Sequence, residues 1–170
     1  MTSTLPAPVR IIGIDPGSRY TGFGIIEKED NRLRHVYSGV VDSSKLETLE
    51  DKLVNIFEGL STAIEEFKPS QGSIERIFHS VNAKSSLILG HARGVALLAL
   101  KIKGLSVYEY APNEIKSAIT GVGRASKDQV AYMVQVLLNY KVKMKEDESD
   151  ALAAAICHAN THPLSRLIKN

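Results

Sequence analysis

A chain of 170 residues, 44% hydrophobic and 24% charged, holds enough apolar material for one packed domain and is too short to promise two. Its single cysteine, Cys157, excludes a disulfide framework or a cysteine metal cluster built within one chain. The opening MTSTLPAPVR lacks the basic start and apolar centre of a signal peptide, and no stretch reads as ~18 apolar residues, so a soluble cytoplasmic protein with no membrane partner is expected.

VRIIGID is a β-branched run ending in Asp15, and YTGFGIIEKE alternates small or polar with apolar residues before Asp30 and Asn31 supply turn chemistry. RLRHVYSGVVDS reads as a third strand, and the short loops make these three an antiparallel meander. From Lys45 to Phe67, Leu46, Leu49, Leu53, Ile56, Phe57, Leu60 and Ile64 recur at three- and four-residue spacing, which predicts an amphipathic helix ending before Pro69. GSIERIF predicts a fourth strand, Lys84 to Lys103 a second helix ended by Gly104, and LSVYEY a fifth strand. Helices are then expected over Asn113 to Thr120, Lys127 to Asn139 and Glu148 to His158. The order predicts an α/β domain with a mixed five-stranded sheet flanked by helices, in a ribonuclease H-like arrangement. It is expected to span residues 10–160, with 1–9 as a flexible N-terminal extension and 161–170 as a C-terminal tail.

Charge is uneven along the chain. Glu27 to Glu66 carries ten acids against five basic residues, whereas Arg76 to Lys145 carries eleven Lys and Arg against three acids. A basic stretch is usually just a solvated face, but beside catalytic acids it suits a polyanionic partner.

Four acids sit against apolar runs: Asp15 after VRIIGI, Glu75 after GSI, and Asp147 and Asp150 before ALAAAICHA. Buried acids cost free energy unless a cation compensates them, and no basic residue alternates with these runs, so a bound metal is the compensator to test. Asp-Pro-Gly at 15–17 is by itself an ordinary turn. Gly17, Gly22 and Gly24 clear side chains around it, as a close phosphate backbone would require. Glu75 reaches Asp15 only if the fourth strand lies beside the first. Asp147 and Asp150 share a helical face, where capping of the helix N-terminus competes with metal binding as the explanation.

IIGIDPGSRYTGFGII, SIERIFHSVNAKSSLILGHARGVALLAL, YAPNEIKSAITGVGRASKDQVAYMV and DESDALAAAICHA together resemble the RuvC family of Holliday junction resolvases, from about Arg10 to His158. The resemblance implies a ribonuclease H-like fold and a structure-selective endonuclease that makes paired, symmetric cuts in four-way DNA junctions during recombination and repair. It implies homodimers and a branch-migration helicase as partner. It places the four catalytic and metal-binding acids on Asp15, Glu75, Asp147 and Asp150. Oxygen-only ligands suit hard cations, so two Mg²⁺ per site are expected, with Mn²⁺ as a substitute.

The same resemblance puts an aromatic substrate contact at Phe78 and basic residues near the scissile phosphate at Lys116 and Lys127. Arg76 and Arg93 are further candidates for backbone phosphates, with Lys84 and Arg124 behind them. His79 and His91 are positions where the family often carries other residues, and His158 reads as structural. Leu97, Leu100 and the small residues of the second helix offer more apolar surface than one sheet face needs, as a two-fold seam would. Two other readings compete. One is a ribonuclease H-like nuclease acting on RNA, and the other is an actin-like nucleotide-binding protein, which would need two copies of the fold.

Overall fold

The computed structural model describes residues 7–76 and 82–162. Its strands are β1 (Val9–Asp15), β2 (Tyr20–Glu29), β3 (Arg32–Asp42), β4 (Gln71–Glu75) and β5 (Ser106–Tyr110). Its helices are α1 (Leu49–Phe67), α2 (Ala83–Ile102), α3 (Pro112–Thr120), α4 (Lys127–Leu137) and α5 (Glu146–Thr161). The strands form one sheet in the order β3-β2-β1-β4-β5, with β2 antiparallel to both β1 and β3, β4 parallel to β1, and β5 parallel to β4. The expected mixed sheet and element order are therefore present.

Side chains alternate across the sheet as the strand pleat requires. Ile12, Ile14, Phe23, Ile25 and Ile74 face α1 and α2 with Ile56, Leu60, Ala96 and Leu100. Ile11 and Ile26 face the other way, into a core built from α3, α4 and the alanine-rich α5. The second face is packed unusually close. A Cβ on Gly13 would lie 1.9 Å from the Ala151 carbonyl oxygen, one on Gly22 2.0 Å from that of Asp147, and one on Gly24 2.5 Å from the Leu152 side chain. Gly22 and Gly24 thus make room for α5, and the expectation that they clear space for phosphate is corrected: that space is filled by a helix. Ser73 Oγ donates to the Ala154 carbonyl at 2.6 Å and ties β4 to the same helix.

Helix ends depart from the expected bounds for reasons found in their caps. α1 begins at Leu49 rather than Lys45, because Thr48 is the N-cap and its hydroxyl accepts from the Asp51 amide at 3.1 Å. α5 begins at Glu146, two residues before the expected start, because Glu148 reaches back to accept from the Lys145 amide at 2.9 Å. α2 is long and apolar enough, by length and composition, to cross a membrane. This corrects the expectation that no such stretch exists. Here Ala92, Ala96, Ala99 and Leu100 pack one side of that helix into the core.

Candidate active site

The parallel pairing of β1 with β4 brings Ile14 opposite Ile74, so Asp15 and Glu75 leave adjacent strand ends. Alternation from Gly13 and from Ser73 turns both carboxylates to the α5 face. The sequence left the neighbourhood of Glu75 conditional on strand order; the observed order meets the condition. The turn after Asp15 is closed by Thr21, whose buried hydroxyl donates to the Gly17 carbonyl at 2.7 Å.

Across from these strand ends, α5 seats its first turns. A cavity of about 200 Å³ is lined by Asp15, Glu75, Asp150, Lys116 and Lys127, with Ile115 at its apolar wall. Asp147 lines a separate groove instead, beside Tyr20 and Lys145, yet its charge still acts on Asp15. Three of the four sequence-predicted acids therefore share one cavity, and the fourth is close enough for its charge to reach Asp15. At α5 the cap is filled by Glu148, while Glu146 pairs with Lys127. Asp150 lies in the second turn, beyond the residues a helix terminus needs satisfied.

Burial, and then the neighbouring charges of Asp150, Asp147 and Glu75, push the Asp15 carboxyl up to about 7. Burial followed by Asp150 raises Glu75, and burial raises Asp150. One compensating contact was not foreseen from local sequence: Lys127 Nζ lies 3.6 Å from Asp150 Oδ2 while also holding Glu146. Among the described residues no three His, Cys, Asp or Glu side chains converge closely enough to grip an ion as they stand. The donor set nevertheless fits a hard divalent cation: it is all oxygen, partly desolvated, and short of positive charge.

The other candidates sort by position. Lys116 and Lys127 line the cavity itself. Arg93 donates from Nε to the Glu75 backbone carbonyl at 3.3 Å and pairs with Glu109, so it braces the strand end that carries Glu75. Arg76 is exposed, with its Nη2 3.3 Å from the Glu109 carbonyl. Phe78 and His79 lie outside the described residues. His91 is exposed and bonds the Leu87 carbonyl at 2.7 Å within its own helix. His158 is buried far from the cavity, between Tyr110 and Gln71.

A model of the family described as crossover junction endodeoxyribonuclease RuvC matches residues 11–158. The protein of that description from Syntrophotalea carbinolica is 51% identical over 160 residues, which cover 94% of this chain and 99% of the relative. Its counterpart from Geotalea uraniireducens is 47% identical over 161 residues, covering 95% and 94%. Among solved structures, Thermus thermophilus RuvC in complex with Holliday junction substrate superposes with a TM-score of 0.83 at 30% identity, covering 89% of this chain and 93% of that one. The sheet and helices described above are the ribonuclease H-like fold of these resolvases.

Proposed function

The chain belongs to the RuvC family of crossover junction endodeoxyribonucleases, and from that premise we propose that it resolves four-way DNA junctions by paired, symmetric hydrolysis of phosphodiesters. The observation that carries this reading is the cavity in which Asp15, Glu75 and Asp150 meet Lys116 and Lys127. Asp15 would be the central ligand, since the charges of Glu75, Asp147 and Asp150 all act on it, and those three would complete the set. Two Mg²⁺ ions, replaceable by Mn²⁺, would neutralise the substrate phosphate and make a water acidic enough to attack at neutral pH. Lys116 meets the phosphate from the α3 side. Lys127 pairs with Glu146 and, less closely, with Asp150, and would turn from them to meet the phosphate. Arg93, a candidate for backbone phosphate, also acts as a positioning residue, because it braces the backbone of Glu75. By the family reading, Arg76 meets backbone phosphate and Phe78 contacts an unpaired base at the junction centre.

Two symmetric cuts need two sites, and the outer side of α2 supports a two-fold dimer. Leu87, Leu98 and Ile102 are 65%, 52% and 61% exposed there. Gly90 and Gly94 between them leave room for a close neighbour, since a Cβ on either would meet nothing within 4 Å. The branch-migration helicase and a cytoplasmic setting come with the family reading.

Asp15→Asn should abolish cutting of a four-way junction in Mg²⁺, by ~10³-fold or more, since losing a charge-stabilising ligand forfeits several kcal/mol. Junction binding should survive, because the change removes a negative charge. Loss of binding with cutting retained would refute the assignment. Linear duplex and RNA junctions, assayed alongside, separate a junction resolvase from a nuclease of other substrates.

A further inference from the structure

Beyond the acid cavity the chain from Tyr140 to Lys145 runs between α4 and α5 without regular structure. It is nevertheless held in place. Tyr140 and Met144 pack against the α5 core, Gln135 Nε2 donates to the Val142 carbonyl at 3.0 Å, and the Lys145 amide is capped by Glu148. Lys143 and Lys145 project from this pinned segment into solvent, and among the described residues neither side chain makes an ion pair or hydrogen bond. Of the acids around them, Glu146 is held by Lys127 and Lys145 acts on Asp42 only through space, while Asp128, Asp147 and Asp150 line the same grooves.

The two lysines form a ridge with a groove on each side. One groove, about 510 Å³, is walled by Lys127, Tyr132, Gln135 and Asp150 opposite the ridge. Lys127 and Asp150 also line the acid cavity, so the groove and the cavity share a wall. Tyr132 is 64% exposed on that far wall, an aromatic face with no packing role to explain its exposure. The other groove carries Tyr20, with the Arg19 guanidinium 5.9 Å over its ring, and leads to Asp147. Unpaired ammonium groups on a preorganised backbone, interleaved with exposed aromatic rings and leading away from a phosphodiester-cutting site, match the chemistry of a polynucleotide backbone.

We propose that the Lys143–Lys145 ridge is a phosphate track for the DNA strand as it leaves the acid cavity along α4, a surface separate from the cavity lysines Lys116 and Lys127. The proposal rests on the nuclease reading of that cavity. Each lysine meets a backbone phosphate, while Tyr132 lies beside the sugars and bases on the opposite wall.

The salt dependence of binding isolates such contacts. Binding of a fluorescent four-way junction is measured by anisotropy in EDTA across a KCl series, for the parent, Lys143→Ala/Lys145→Ala and, as a charge control on the far side of the sheet, Lys52→Ala. Losing two phosphate contacts should flatten the plot of log Kd against log salt by about 2 and weaken binding at every salt concentration, with Lys52→Ala unchanged. An unchanged slope in the folded double variant, or an equal loss in Lys52→Ala, overturns the track. The same series on linear duplex keeps the two readings apart. If the parent shows no preference for the junction, the resolvase reading fails, and the slope difference on duplex still decides the track.

Discussion

At its N-terminal end α5 presents Asp147 and Asp150 toward the strand ends of Asp15 and Glu75, where burial and neighbouring charge make Asp15, Glu75 and Asp150 reluctant to ionise. About three turns along, the same helix carries His158, and there every polar group is matched. Gln71 Oε1 can only accept, so His158 Nε2 donates to it at 2.8 Å, and Nδ1 accepts the Tyr110 hydroxyl at 2.7 Å. The ring also stacks on Tyr108 and His162. Burial, with His162 and Lys28 nearby, holds it neutral, its pKa pushed down to about 4. One helix thus has a satisfied end, which is architecture, and an unsatisfied end, which is a standing demand for cations. Polar residues in apolar company are not all functional; what separates them is whether the fold supplies their partners.

Both ends hang on one seat, and the largest effect should come from disturbing it. Gly13→Ala pushes a methyl into the Ala151 carbonyl. Overpacking there should cost ~3 kcal/mol, a fall of roughly 6–12 °C in Tm, and junction cutting per folded molecule should drop with it. Unchanged cutting by the folded protein would show that the acids do not depend on the depth at which α5 sits. A smaller and more selective effect is expected at the satisfied end. His158→Ala strands Gln71 and should cost ~2 kcal/mol, seen as a lower Tm, while cutting per folded molecule stays near the parent's. If cutting collapses, the division between the two ends is wrong.

The smallest net effect is the parent's own response to pH, because the two ends oppose each other. Asp15 holds its proton in the fold up to about 7 against 3.8 for a free carboxyl, so its contribution to stability falls as pH rises through that window. His158 stays neutral in the fold down to about 4 against 6.5 for free histidine, so its contribution rises with pH over much of the same range. Metal-free parent protein should therefore show a shallow profile between pH ~4.5 and ~6.5. Denaturant titrations should reveal a rising profile in Asp15→Asn and a falling one in His158→Ala. Parallel profiles for the two variants would sink the opposition.

The strands, the helices and the suspect acids were legible in the chain because each is written locally. VRIIGI and YTGFGII show their period within a few neighbours, and Asp15 is conspicuous for ending one such run. The four family motifs added identity, since their order along 11–158 is itself a sequence property. Helix starts were less legible, for Thr48 and Glu148 act through single hydrogen bonds that periodicity does not register. The rest belonged to tertiary structure. That Glu75 lies beside Asp15 follows from β4 pairing parallel to β1, across an intervening helix. That Gly13, Gly22 and Gly24 seat α5 follows from which face of the sheet that helix covers. Lys127 meets Asp150 across 23 residues, a contact with no local signature. Sequence determined which groups carry charge and which segments can be regular; only the fold decided which charges meet partners and which are left facing one another, because that depends on how distant apolar faces bury each other.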